Sequence, residues 1–241
     1  MEKDLLSIHQ AAKLLGVSID TLRRWDKSGK LLAIRKNIGD HRYYRKADIE
    51  LSLCDLYRLA DEWCSADKGV EPAAEFYCPN SAVFQIRQLA LDRQLARVKE
   101  LENIYALVVA VVGEIGNNSF DHNLGNWRDV PGVFFGYNLS GRQIVLADRG
   151  LGILKTLKGV RPELNRHEEA LRVSFTEVVS GRAPEARGNG LKFVRNAVKD
   201  CKMKLFFQTG DAGLYLNPGD KDFVIKKQGK VIDGCLCAIN F

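Results

Sequence analysis

Near the start of the chain, apolar positions fall into short groups separated by residues that cap or break helices. Ser7 can cap a helix running through Leu15, Gly16 and Val17 interrupt it, and Ser18 can cap a second helix to about Lys27. After Gly29 come Leu31, Leu32 and Ile34, then the basic, turn-prone stretch 35–42 and the pair Tyr43-Tyr44, which together predict a small hairpin or wing. Residues 46–59 are again helical in pattern. Residues 65–82 mix Gly, Pro, Ser and charge without periodicity and are expected to connect two modules. From 83 to 96, Val83, Ile86, Leu89, Ala90 and Leu95 recur at helical spacing with arginines between them, as in a connecting or dimerising helix. A more apolar segment up to His122 predicts one buried helix, followed by strand-like runs at 132–137 and 143–147. Beyond Gly152 a polar stretch leads to Gly190, a helix over 191–201, and the strand-like runs LFFQT, GLYLN, DFVIKK and CLCAINF. The expected fold class is α+β: a small helix-turn-helix domain (1–60), a helical linker (61–103), and a domain (104–241) with helices packed on one face of a mixed, largely antiparallel sheet.

Charge sharpens this division. The formal net charge is +6, and residues 1–53 hold 11 Lys/Arg against 7 Asp/Glu, an excess that fits a nucleic-acid partner for the first module. The six cysteines include no CxxC pair and the four histidines are scattered singly, so neither a zinc site nor a disulfide framework is signalled. The opening MEKDLLSIHQ lacks an apolar signal core, and the longest apolar run, 104–112, is too short to span a membrane. A soluble, cytoplasmic, DNA-associated protein of bacterial type is expected.

A helix-turn-helix needs a tight turn, an apolar face on both helices, and exposed basic or polar residues on the second. AAKLLGVS followed by TLRRW supplies each part: Leu22 and Trp25 share a face and pack inward, leaving Arg23 and Arg24 exposed. The stretch AAKLLGVSIDTLRRWDKSGKLLAIRKNIGDHRYYRKADI closely resembles the winged helix-turn-helix of MerR-type regulators, excisionases and related recombinase-attached domains. That resemblance implies binding to double-stranded DNA, with Ser18, Thr21, Arg23 and Arg24 at the major groove and Arg35, Lys36, His41 and Arg42 in the wing.

The second chemistry-bearing pattern begins at Glu114, Asn118 and His122, whose spacing of four places them along one slowly rotating helix face. An Asn amide oxygen suits Mg²⁺ held together with phosphates, and a Glu one turn earlier could orient or deprotonate a water. Asp148-Arg149-Gly150-Leu151-Gly152 ends a strand with a carboxylate and two glycines that admit close backbone approach. Gly188-Asn189-Gly190-Leu191 then opens a helix, where free N–H groups favour phosphate. Together VVGEIGNNSFDHN, LADRGLGI and ARGNGLKFV resemble the asparagine box and two glycine boxes of the GHKL ATPase superfamily, which includes gyrases, histidine kinases and anti-sigma kinases. The resemblance covers 104–241 and implies a two-layer α/β sandwich of the Bergerat type that binds ATP and Mg²⁺. In that family Asn118 would hold the metal, Glu114 would be the catalytic base, and Asp148 would accept a hydrogen bond from the adenine amino group. Gly150, Gly152, Gly188 and Gly190, with Leu191 and His122, would shape the pocket, and 153–187 would form a lid over the nucleotide. The family's late Thr or Ser after a strand glycine is absent here, since Cys235 follows Gly234; Thr209 could serve instead.

Three functions remain open on the residues: a DNA-binding transcriptional regulator controlled by ATP, an ATP-dependent protein serine/threonine kinase or DNA-directed ATPase addressed by its helix-turn-helix, and an ATPase fold used only for interaction. A homodimer is expected, and a protein partner or substrate is compatible with the second reading.

Overall fold

The computed structural model describes residues 5–27, 31–35, 41–46, 48–49, 55–178 and 189–241. The N-terminal unit follows its local signals closely. A short strand β1 (Leu5–Ser7) leads into α1 (Ile8–Leu15), where the Ser7 hydroxyl accepts from the Gln10 N–H (3.3 Å) and the Gln10 side chain accepts from the Ser7 N–H (2.8 Å). This reciprocal cap satisfies two of the donors that a helix start leaves open. Gly16 closes α1 in the left-handed conformation at φ 66°, which glycine adopts without a Cβ penalty. Helix α2 (Ile19–Lys27) starts on Ser18, whose hydroxyl accepts from the Thr21 N–H at 3.1 Å. Strand β2 (Tyr43–Arg45) pairs antiparallel with β1, and an isolated bridge joins Ile34 to Tyr43. Ala11, Ala12, Leu22, Leu31, Tyr44 and Ile49 form the core of this unit, with Trp25 packed against it.

The second unit is built on one sheet. Helix α3 (Leu56–Ser65) and strand β3 (Tyr77–Cys78) precede α4 (Ser81–Leu95) and the long α5 (Tyr105–Asn123). Then come β4 (Val133–Asn138), β5 (Gln143–Asp148), α6 (Gly152–Lys158), α7 (His167–Thr176), α8 (Gly190–Asp200), β6 (Lys204–Leu216) and β7 (Val224–Asn240). The strands run in the order β3-β4-β5-β7-β6, and every neighbouring pair is antiparallel. Alternation along the strands sorts the side chains by face. Val133, Phe135, Ile144, Leu146, Leu205, Phe207, Cys237 and Ile239 meet α4 to α8 in the main core. Phe134, Val145, Ala147, Leu236 and Ala238 point the other way, onto Leu56, Ala60, Trp63 and Cys64 of α3.

Several features depart from the expected layout. Within the segment expected as a helix over 46–59, Lys46, Asp48 and Ile49 are helical and 50–54 lie outside the described residues, while α3 begins at Leu56 on an Asp55 cap and covers the second face of the sheet, adding a short third layer to the expected two. Residues 61–103 are built into the same unit rather than only linking it: β3 pairs with β4, and Phe84, Leu91 and Leu95 of α4 enter the main core. Of the apolar stripe expected on α4, Ile86 and Leu89 are instead 67% and 57% exposed. The four late strand-like runs merge into β6 and β7, because register shifts beside Thr209 and positive φ at Gly210 and Gly234 bend the strands without ending them. The segment expected as a polar lid contains α6 and α7, which bury Ile153, Leu157, Ala170, Leu171 and Phe175; residues 179–188 lie outside the described chain.

Candidate functional sites

The first site is a basic depression of about 470 Å³ on the N-terminal unit, lined by Asp20, Arg23, Arg24, Asp26, Lys27, Arg35 and Arg42. It gathers four of the eight residues assigned to DNA from the sequence. Arg23 bonds Asp20 at 2.9 Å, one turn back on the exposed side of α2. Ser18 and Thr21 are spent partly on local structure: Ser18 caps α2 and shares a hydrogen bond with Thr21 (2.9 Å), and Arg24 donates to the Thr21 hydroxyl at 3.3 Å. His41 is exposed beside Arg42, and Lys36 falls outside the described residues. Asp26 was not anticipated. Its carboxylate, 6% exposed, accepts from the Ala33 N–H (3.0 Å), from Arg42 Nε (2.7 Å) and from Arg35. Beneath it Tyr44 is buried and donates to the Leu22 carbonyl, and burial, reinforced by Asp26, pushes its hydroxyl up to about 12.

The second site lies where β5, α5, α6, α8 and β6 converge. Asp148, 2% exposed, ends β5. Its carboxylate accepts from the Ser119 hydroxyl (2.8 Å), the Asn123 amide (3.2 Å) and the Gly150 N–H (2.9 Å), with a further backbone bond from Cys235. Burial still outweighs these donors and raises the Asp148 carboxyl to about 6. Asn123 is a hub: its amide also donates to the Ser119 carbonyl, and its oxygen accepts from the Leu151 N–H at 2.8 Å. A Cβ at Gly150 would overlap this amide, and one at Gly234 would overlap Asp148 itself. The Thr209 hydroxyl accepts from the Ile153 N–H and donates to the Gly234 carbonyl, both at 3.1 Å, and a Cβ at Gly152 would stand 2.9 Å from it. Thus Thr209, distant in sequence, meets the Asp148, Gly150 and Gly152 turn.

A neighbouring cluster forms around Gly190 at the start of α8. A Cβ there would sit 2.6 Å from Glu114 Oε2 and 3.4 Å from the Asn118 amide, so these two side chains face the opening of that helix. Both clusters share α5, since Ser119 directly follows Asn118. His122 is half-buried one turn further on, Leu191 is half-buried against the main core, and Gly188 lies outside the described residues. Ser119 and Asn123 were missed, although a signal existed: they continue the buried stripe Val108, Val111, Val112, Ile115 as polar residues, and a buried polar group needs a partner.

Arg149, next to Asp148 and pointing to the opposite face of the sheet, is fully buried. It donates to the Trp63 carbonyl (2.6 Å), the Ala66 carbonyl (2.9 Å) and both oxygens of Asp129 (2.8 and 2.7 Å). The bidentate guanidinium holds the Asp129 carboxyl well below the ordinary range. Gly69 completes the arrangement by donating its N–H to Asp129 at 2.7 Å.

Among the described residues no helix is long and apolar enough to cross a membrane. Residues 7–44 match the family model described as MerR family regulatory protein. Over 50 residues, 21% of the chain, the sequence is 42% identical to the type II methyltransferase M.Eco47II of Escherichia coli, a match that covers only 12% of that protein. In sequence, residues 7–44 are therefore similar to the DNA-binding helix-turn-helix of MerR-family regulators.

Proposed function

We propose that the protein is a DNA-binding regulator whose second unit binds Mg-ATP and thereby alters DNA binding. The DNA half rests on the basic depression and the family match over residues 7–44. The ATP half rests on one observation: Glu114 and Asn118 face Gly190, while Asp148, Gly150, Gly152 and Thr209 converge beside the next turn of the same helix. The residues fit the ligand in type. Glycine at 190 leaves the start of α8 open to phosphate, Asn118 offers an amide oxygen to Mg²⁺, and Asp148 offers an acceptor to an exocyclic amine. Because Ser119, Asn123 and Gly150 already occupy the Asp148 carboxylate, an adenine amino group would exchange one of these bonds rather than add to them. Bound ATP would supply a transferable phosphoryl group. This chain's own contribution would be to orient the phosphates and to place the Glu114 carboxylate where it can accept a proton from an attacking water or hydroxyl.

That exposed carboxylate favours a second reading, an ATP-dependent protein serine/threonine kinase or DNA-directed ATPase. A homodimer belongs to the same proposal, with Ile86 and Leu89 on the outer face of α4 as the residues it would cover.

Calorimetry of Mg-ATP binding to wild type and Asp148→Asn, with and without a generic duplex, tests the proposal. Binding to wild type that weakens about tenfold or more in the variant is expected for loss of a buried acceptor. Absence of binding to wild type would sink the ATP half. Turnover by wild type that Glu114→Gln abolishes while ATP still binds would select the enzymatic reading.

A further inference from the structure

We propose that Asp26 is a positioning residue that gives DNA binding its sequence selectivity by holding Arg35 and Arg42 in fixed directions against α2. The inference rests on the DNA-binding reading of the N-terminal unit and deepens it. A carboxylate among Arg23, Arg24, Lys27, Arg35 and Arg42 works against affinity, because it repels the same phosphates that the cations attract. Its geometry gives it another use. Asp26 stands next to last in α2 and is 6% exposed, whereas the two arginines it binds are each about one-third exposed.

One oxygen accepts from the Ala33 N–H, which ties the chain after α2 back onto the helix. The other accepts from Arg35 and from Arg42 Nε, residues that bracket positions 36–41 of the sequence. The backbone bonds between Ile34 and Tyr43, 2.7 and 3.0 Å, form an isolated bridge that holds the adjoining Arg35 and Arg42 side by side at this carboxylate. A guanidinium engaged through one edge keeps a planar fork in a defined direction, so its rotamer freedom is lost before DNA arrives rather than on binding. Base-edge and groove-shape readout depends on such fixed directions, while attraction to phosphate does not.

Asp26 therefore acts on the two kinds of binding with opposite sign. Removing its charge strengthens sequence-independent binding and weakens discrimination. A residue that merely supported the fold would lower both together.

The test uses the full chain. A duplex enriched from a random-sequence library by wild type is compared with a scrambled duplex of equal composition, by fluorescence anisotropy at two salt concentrations. For Asp26→Asn, the affinity ratio of enriched to scrambled duplex is expected to fall about tenfold, within the range of one lost base-pair discrimination, with scrambled-duplex affinity unchanged or tighter. Asp26→Glu should restore part of the ratio. Arg42→Lys, which conserves charge but not the fork, should lower it as Asp26→Asn does. An unchanged ratio in Asp26→Asn, or parallel loss on both duplexes with the helical signal intact, overturns the proposal. If Asp26→Asn loses its helical signal, Arg42→Lys decides by the same criterion. Wild type that binds every duplex alike overturns the selectivity role alone, whereas wild type that binds no duplex overturns the DNA reading beneath it.

Discussion

Asp148 and Asp129 titrate in opposite directions within one short stretch of structure. Burial raises Asp148 from 3.8 to about 6, so the stability tied to its protonated form is complete below about pH 4 and lost as pH rises through 6. The shift corresponds to about 3 kcal/mol. Asp148→Asn stays neutral throughout, and its amide can keep the Gly150 and Asn123 bonds if the Ser119 hydroxyl turns to accept. Urea unfolding at pH 4 and pH 7 should show the variant gaining about 2 kcal/mol on wild type across that interval; a constant difference would show that the carboxylate is not penalised. Asp129, lowered by Arg149, contributes with the opposite sign and weakens the fold on acidification in both proteins, so it cancels from the comparison. At this scale the sequence was legible where chemistry is local. Asp148 and its glycines stand together at a strand end, and Glu114 and Asn118 repeat along a helix. Asp26 with Arg42, sixteen residues apart, and Asn123 with Leu151, twenty-eight apart, were not legible, because nothing in their spacing says which turn will meet which strand.

Helices α1 and α2 were readable for a physical reason: Ser7, Gly16 and Ser18 act on backbone groups within four residues of themselves. Ser7→Ala removes the hydroxyl half of the α1 cap and should cost about 1 kcal/mol. Amide hydrogen exchange should show this as faster exchange at Ala11 and Ala12 with no change in the core of α5, and protection equal to wild type at those amides would show that the cap is dispensable. The late strands were harder. Gly210 and Gly234 look like turn residues in sequence, yet both sit inside strands, Gly210 opposite Ile232 twenty-two residues on, and cross-strand pairing decided the outcome. The surface that α3 covers was not legible for a related reason: Leu56, Ala60, Trp63 and Cys64 announce a buried face but not what buries it.

Over the whole molecule, the buried apolar residues of 11–49 form a cluster of their own, and those of α3 belong instead to the cluster on the second face of the sheet. Helix α3, which begins twenty-one residues before β3, is already part of the second unit: it covers Phe134, Val145 and Leu236 and ends in the carbonyls of Trp63 and Ala66 that receive Arg149. A fragment of residues 55–241 should therefore unfold in one cooperative transition. A fragment of residues 67–241 would expose that apolar face and leave the guanidinium with only Asp129, a loss of several kcal/mol that should abolish the transition. Equal cooperativity of the two fragments in thermal unfolding would refute this. The same contact restricts how such a protein can be recombined. A different front module, acquired by gene fusion or grafted by design, would leave the second unit intact only if the splice lies ahead of Leu56, so the Arg149 clamp marks the seam at which the chain can exchange parts.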